Sequence, residues 1–281
     1  MEEIDHNIIV ETGNLGSNNA IIHTERGLVL IDSPHKPTDA VKWRGEVDSR
    51  GEVAYLVNTD HHIDHTMGNF FLPGTIVSHQ QTREKLLTAA PTLDFMKWLL
   101  QTLDPPGIEL MEGYVTRVPT ITMNDTMTLH LGDVTLELSH QAGHTANGIM
   151  VLLVEQKILF AGDLVCEAGL PSFQEACVFP WLENLRRVME MDIRFIVPGH
   201  GKVCTLAGAR AFHDQISALV DEVKHAMAVG KSRDEIVAAI RFPDNIHTTT
   251  ESYQGYPDDM NEGFQIKSIG AIYDQVVEAG A

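Results

Sequence analysis

The sequence predicts a mixed α/β (α+β) fold in which two β-rich halves pair their sheets and carry helices on the outside. Three observations predict it. Short runs of β-branched and aliphatic residues, bounded by turn residues, fill residues 7 to 32 and recur from 127 to 197. Segments with helical spacing separate them. Beyond Cys204 the apolar period changes to steps of three and four.

Residues 7 to 12, 18 to 24 and 27 to 32 read as strands, the last two forming a hairpin across Glu25 and Arg26. Residues 38 to 50 suit a helix. VAYLVNTD, 53 to 60, is a strand that ends in polar residues, and 64 to 71 and 79 to 88 suit short helices. Residues 86 to 118 hold Phe95, Met96, Trp98, Leu99 and Leu100 and then Pro105 and Pro106. Two readings stay open there: a core helix followed by a loop, or an apolar lid over a pocket. The second half predicts strands at 127 to 131, 133 to 139, 148 to 154, 157 to 161 and 193 to 197, with a helix at 181 to 191. Phe212, Ile216, Leu219, Val223 and Met227 then paint one helical stripe, and Ile269, Tyr273 and Val276 another. The domain expectation is a main body at 1 to 204 and a helical extension at 205 to 281 packed on it.

Composition narrows the function classes. The chain has 281 residues, 43% of them hydrophobic, which is enough for a substantial core. Its formal net charge of −19 repels phosphates, so nucleic acid and anionic membrane are not expected partners, and a small-molecule substrate is. The opening MEEIDHNIIV carries acids where a signal peptide carries lysine or arginine. The apolar run Ile149 to Val154 is too short for a bilayer. Three cysteines, Cys166, Cys177 and Cys204, make a disulfide framework improbable. The expectation is a cytoplasmic chain. Oligomeric state stays open, with a homodimer among the options.

The unusual count is 14 histidines. Asn58-Thr59-Asp60-His61-His62-Ile63-Asp64-His65 runs from a strand end into a helix start, so Asp60, His62, Asp64 and His65 can project from one turn into the same space. Imidazoles and carboxylates at that density are costly to bury together unless a cation holds them. Three more pieces each put one ligand-type side chain at a strand's carboxyl end: Gly143-His144-Thr145 just beyond a strand, and Gly162-Asp163 and Gly199-His200-Gly201 ending one.

In this order the pieces resemble the metallo-β-lactamase superfamily, the αββα hydrolases that include glyoxalase II-like enzymes, lactonases and β-lactamases. The resemblance covers residues 7 to 204 and rests on the pattern H-x-H-x-D-H, a lone His, a bridging Asp and a last His. It implies a four-layer αββα sandwich. It also implies that His62 and His144 hold a first metal, that Asp64, His65 and His200 hold a second, and that Asp163 bridges them. Two divalent ions are expected, zinc foremost, manganese or iron as the others.

One position departs from the pattern. Asp60 stands where the family has its first histidine, and His61, shifted by one residue, should point elsewhere. Asp60 can still coordinate, because a carboxylate is a competent zinc ligand and a better one for manganese or iron(II). A third carboxylate removes positive charge, lowers Lewis acidity, and predicts a harder metal or a slightly alkaline optimum.

The expected activity is hydrolysis of a small ester, thioester, lactone or amide by a hydroxide shared between metals about 3.5 to 4 Å apart, with Asp64 orienting the nucleophile and passing a proton. The alternatives are an iron-dependent oxidoreductase of the same fold, a phosphodiesterase or nuclease, and a metal-binding protein with a degenerate first site. Asn58 and Thr145 are candidates to steady the ligand imidazoles. Substrate-facing candidates are Phe95 and Trp98 on the apolar stretch, Cys166 three residues past Asp163, His35 in the turn after a strand, and His247 in a polar loop before the last helix. For Cys166 a buried structural thiol, and for His35 a surface position, are the competing readings.

Overall fold

In the computed structural model, which describes residues 1–167, 169–242 and 258–280, twelve strands form two sheets. The larger sheet has the order β1-β2-β3-β4-β5-β6-β7 and the smaller β12-β11-β10-β9-β8. The first comprises β1 (Glu2–Asp5), β2 (Ile8–Glu11), β3 (Asn19–Thr24), β4 (Gly27–Ile31), β5 (Val53–Val57), β6 (Thr75–His79) and β7 (Ile121–Met123). The second comprises β8 (Thr126–His130), β9 (Thr135–His140), β10 (Ile149–Leu153), β11 (Ile158–Cys166) and β12 (Phe195–His200). The meanders β1 to β4 and β8 to β11 are antiparallel, whereas β4 to β7 and the pair β11 and β12 run parallel.

Period-two alternation decides which side of a sheet each residue serves. On β3 and β4, Ile22, Val29 and Ile31 join Leu136, Val151 and Phe160 in a core between the sheets. Their neighbours Ile21, Leu28 and Leu30 face the other way, onto Trp43 and Val47 of α1 (Pro37–Asp48). On β11 the residues Leu159 and Ala161 face outward, onto Trp181 and Leu185 of α6 (Val178–Met189) and Phe212 and Ile216 of α7 (Leu206–Ala228). Helix, sheet, sheet and helix are therefore stacked, with an apolar layer at each of the three junctions. The same outer cluster includes Ile236 of α8 (Arg233–Ala239) and Ile269, Ile272 and Val276 of the last helix, α9 (Asp258–Glu278).

Several local expectations need correction. The strands β1, β6 and β7 were not foreseen; β7 has three residues, too few to establish a period. The helix expected at 64 to 71 is one turn, α2 (Ile63–Thr66), followed by a 3₁₀ segment at Met67–Phe71. Residues 86 to 118 hold two helices, α4 (Leu93–Leu103) and the short α5 (Gly107–Leu110), after α3 (Gln80–Thr88). Strand β11 does not stop at 161: it bulges at Gly162, where φ is 53°, and keeps pairing with β12 as far as Cys166 opposite His200. Asp163 thus lies inside β11 rather than at its end, whereas His200 ends β12 as expected.

Candidate metal centre

The strand ends of both sheets meet at one edge of the sandwich, and the loop after β5 is fixed there by buried polar bonds. Asn58 Nδ2 donates to the His65 carbonyl at 3.0 Å and to Asn69 Oδ1 at 3.1 Å, while Ser78 Oγ donates to the Asn58 carbonyl at 2.7 Å. The Asp60 carboxylate takes the His62 backbone N–H at 2.7 Å, a local turn that sets the start of α2. Gly162 lies so close to Thr59 that a Cβ there would fall 2.6 Å from its hydroxyl oxygen. At Gly199 a Cβ would fall 1.7 Å from Asp163 Oδ1, so only glycine leaves room for that carboxylate. Gly143 gives way in the same manner to the Trp181 ring, which carries the loop holding His144.

Seven predicted side chains converge in this space. Asp60, His62 and His144 form one group of donor atoms, Asp64, His65 and His200 a second, and Asp60, His65 and Asp163 a third that overlaps both. His62 Nδ1 lies 3.2 Å from Asp60 Oδ2 and 3.2 Å from His144 Nε2. His200 Nε2 lies 3.4 Å from Asp64 Oδ2 and 3.3 Å from Asp163 Oδ2. Asp163 reaches both groups, with His65 Nε2 at 3.4 Å and His144 Nε2 at 3.6 Å. His61 takes no part in the Asp60 group; its Nδ1 pairs with Asn147 Oδ1 at 3.0 Å.

This donor set fits a divalent cation on two grounds. Asp60 Oδ2, His65 Nε2 and Asp163 Oδ1 are buried and have no hydrogen-bond partner among the described residues, a costly state that a cation relieves. The electrostatics also ask for positive charge. Burial opposes the imidazolium of His62, but the Asp60 carboxylate outweighs it and raises the pKa to about 9. His65 and His200 are pushed up in the same way, against burial, by Asp60 and Asp32 and by Asp163 respectively. Asp64, though buried, is held at about 2 by His65 and His200. His144 goes the other way, lowered to about 4 by burial, so its lone pairs stay available. Without a cation, protons supply the charge that the carboxylates demand; a cation would displace them.

The supports of the imidazoles were mostly missed at the level of sequence. His65 Nδ1 pairs with Asp32 Oδ2 at 2.9 Å, and Asp32 also accepts the Thr59 N–H at 2.7 Å and the Thr59 hydroxyl at 2.6 Å. Burial pushes the Asp32 carboxyl up while His65 is also pushed up; the proton they share belongs on the imidazole, because both Thr59 donors stabilise the carboxylate. Thr145 and Asn58 do not serve the imidazoles: the Thr145 hydroxyl has no partner among the described residues, and Asn58 holds the His65 backbone instead. His200 Nδ1 pairs with the Gly16 carbonyl at 3.0 Å.

A cavity of about 670 Å³ opens over the donor groups. His62, Asp64, His144, Asp163 and His200 line it, as do the predicted His35 and Phe95. His35 is buried rather than on the surface, and neither ring nitrogen has a partner among the described residues. Trp98 does not line the cavity: α4 turns it outward, 50% exposed, one turn from Phe95. Cys166 is a buried thiol outside the lining, its pKa raised well above the usual value by burial. His247 lies outside the described residues. Glu175, not anticipated, stands at the mouth 3.6 Å from His61 Nε2 and 2.7 Å from Lys85 Nζ. Among the described residues, no helix is long and apolar enough to cross a membrane.

Residues 12–200 match the family model of the metallo-beta-lactamase superfamily. The acyl-coenzyme A thioesterase MBLAC2 of Homo sapiens is 27% identical over 163 residues, covering 54% of this chain and 58% of its own. The beta-lactamase-like protein 2 homolog of Caenorhabditis elegans is 26% identical over 137 residues, 48% of this chain and 42% of its own. The chain thus spans about half the length of these relatives. The metallo-beta-lactamase type 2 of Bacillus sp. (strain 170) is 27% identical over 195 residues, 66% of this chain and 67% of its own. Among solved structures, a metallo-beta-lactamase from Pontibacter korlensis superposes with a TM-score of 0.58 at 20% identity, covering 77% of this chain and 97% of its own. The sec-alkylsulfatase Pisa1 from Pseudomonas sp. gives 0.70 at 14% identity over 97% of this chain and 49% of its own. At these identities the structural likeness shows the fold.

Proposed function

Since the chain belongs to the metallo-beta-lactamase superfamily, we propose that it is a binuclear, metal-dependent hydrolase of a small ester, thioester, lactone or amide. The observation that carries this reading is the placing of two donor groups side by side, with Asp163 between them, on the floor of one cavity. Asp60, His62 and His144 would hold one ion, and Asp64, His65 and His200 the other. Bound divalent ions supply Lewis acidity for a carbonyl oxygen and make water reactive near neutral pH.

The chain's own residues do the rest. Asp64 lines the cavity and, as a carboxylate, orients water and takes or returns its proton. Asp32 and Gly16 hold the His65 and His200 rings in one tautomer. The apolar side chains Phe95 and Leu99 exclude bulk water from one wall. The thioesterase named among the relatives favours thioesters within the substrate range. Zinc is the first expectation, and the carboxylate at 60 shifts preference toward manganese or iron(II). A small-molecule substrate, not a polyanion, suits the charge of −19. Three free cysteines suit a reducing, cytoplasmic setting.

The test is elemental analysis of the purified protein together with a colorimetric ester, thioester, lactone and β-lactam panel, for wild type and Asp60→His. Two zinc or manganese ions per chain and chelator-sensitive turnover are expected, with the substitution moving metal preference toward zinc. Full turnover after chelation would overturn the proposal. A single iron per chain with no turnover of the panel would favour redox chemistry instead.

A further inference from the structure

The cavity has an apolar wall, an acidic floor and a cationic roof. Met260, Gly263, Phe264 and Lys267 of α9 all line it, at helical spacings of three and four, so one stripe of that helix faces the opening. The adjacent stripe, Ser268, Ile269, Ile272 and Val276, is buried in the outer core. Side-chain bonds tie this helix to an adjacent segment of the cavity's rim: Ser268 Oγ accepts the Phe173 N–H at 2.9 Å, Gln275 Oε1 accepts the Val178 N–H at 2.8 Å, and Gln275 Nε2 donates to the Ala176 carbonyl at 2.8 Å. The roof is thus a fixed part of the site.

Lys267 is the one lysine or arginine among the described lining residues, and it forms no ion pair with a described residue. The acid at the rim, Glu175, is already matched by Lys85 at 2.7 Å. Among the described residues, the uncompensated charge at the mouth is therefore positive. An apolar group would lie against Phe95, Leu99 and Phe264.

We propose that this cavity takes an amphipathic anion: an acyl compound whose apolar part lies along Phe95, Leu99 and Phe264 and whose carboxylate, phosphate or sulfonate is held by Lys267 of α9. The inference rests on the hydrolase reading only for its kinetic consequence. As a binding site it stands on the lining alone. It orients the ligand: an anionic end paired with Lys267 leaves the neutral carbonyl end for the floor.

The test compares two dyes with one skeleton, 1-anilinonaphthalene-8-sulfonate and its neutral counterpart N-phenyl-1-naphthylamine, titrated by fluorescence into the metal-loaded full chain. Lys267→Gln should weaken the sulfonate about 3- to 10-fold, as expected for a partly solvated charge pair, and leave the neutral dye within about twofold. Lys267→Arg should restore the sulfonate, and Phe264→Ala should weaken both dyes. The kinetic arm compares 4-nitrophenyl octanoate with mono(4-nitrophenyl) suberate, and the KM of the suberate alone should rise in Lys267→Gln. Equal effects on both dyes, or no effect on the sulfonate, would overturn the inference. Charge-selective dye binding without turnover of either ester would leave this site standing and count against the hydrolase proposal.

Discussion

Replacing Asp32 by asparagine changes one atom in a buried relay and should weaken cation binding by about 10- to 100-fold, or roughly 1.4 to 2.7 kcal/mol. Asp32 Oδ1 accepts the Thr59 N–H at 2.7 Å, and an asparagine carbonyl can keep that bond. The other position, now an NH₂, meets the Thr59 hydroxyl at 2.6 Å and His65 Nδ1 at 2.9 Å. The hydroxyl can turn to accept, but Nδ1–H faces a donor. The imidazole therefore moves its proton to Nε2, the nitrogen 3.4 Å from Asp163 that has to offer a lone pair. Backbone strain does not confuse the result: Asp32 has φ of 52°, and asparagine tolerates that region as well as aspartate. The assay is competitive chelator titration of the bound ions, with a thermal melt alongside. Unchanged affinity in a folded Asp32→Asn protein would refute the argument that this carboxylate sets the tautomer.

Gly199→Ala should displace the Asp163 carboxylate, since the new Cβ would lie 1.7 Å from Oδ1 and 2.5 Å from the Gly162 carbonyl carbon. A stability loss of about 1 to 3 kcal/mol is expected, together with a metal content below the wild-type value, as read by thermal unfolding and elemental analysis. Metal binding at pH 7 should release protons, because His62 without a cation is half-protonated only near pH 9. Its folded pKa is raised, so affinity climbs with pH up to that value and falls below it. Calorimetry in buffers of different ionisation enthalpy measures the count, and binding without proton release would show that the imidazoles are already neutral.

The fold was legible where aliphatic runs stood between turn residues. GLVLI and ILFAG were legible as aliphatic runs between turn residues, and the structure then shows their residues alternating between cores. The three residues of β7 carry no period, and β6 is recognised only because β5 and β7 pair with it on both sides. For the site, the run from Asp60 to His65 is local, so its density of ligand types showed at once. Asp32 is not local, since its partners lie beyond α1 and β5, yet it had a signal: a buried strand ending in an acid, as in the Phe160 to Asp163 segment. Glu175 and Lys267 had none. They reach the cavity only because Ser268 and Gln275 pin the rim segment to α9, a tertiary fact that no spacing encodes.

The departure at Asp60 has a structural answer as well as a chemical one. A ligand position that had lost its role would be expected to relax, with its carboxylate turned toward water or matched to a lysine or arginine. Asp60 does neither. It is 3% exposed, and one oxygen is locked by the His62 backbone N–H at 2.7 Å. That lock aims the other oxygen at His62 Nδ1, 3.2 Å away, in the group completed by His144. The turn that orients the carboxylate therefore also begins the helix carrying Asp64 and His65, so the shorter side chain is placed by backbone geometry. A histidine at 60 could accept the His62 amide only through Nδ1, as His79 Nδ1 accepts the Gln81 N–H at 3.2 Å, which leaves Nε2 alone for a cation. Asp60→His therefore tests the turn as well as the ligand: a metal preference that moves without loss of thermal stability would assign the carboxylate to the cation, and a loss of stability at unchanged metal preference would assign it to the turn.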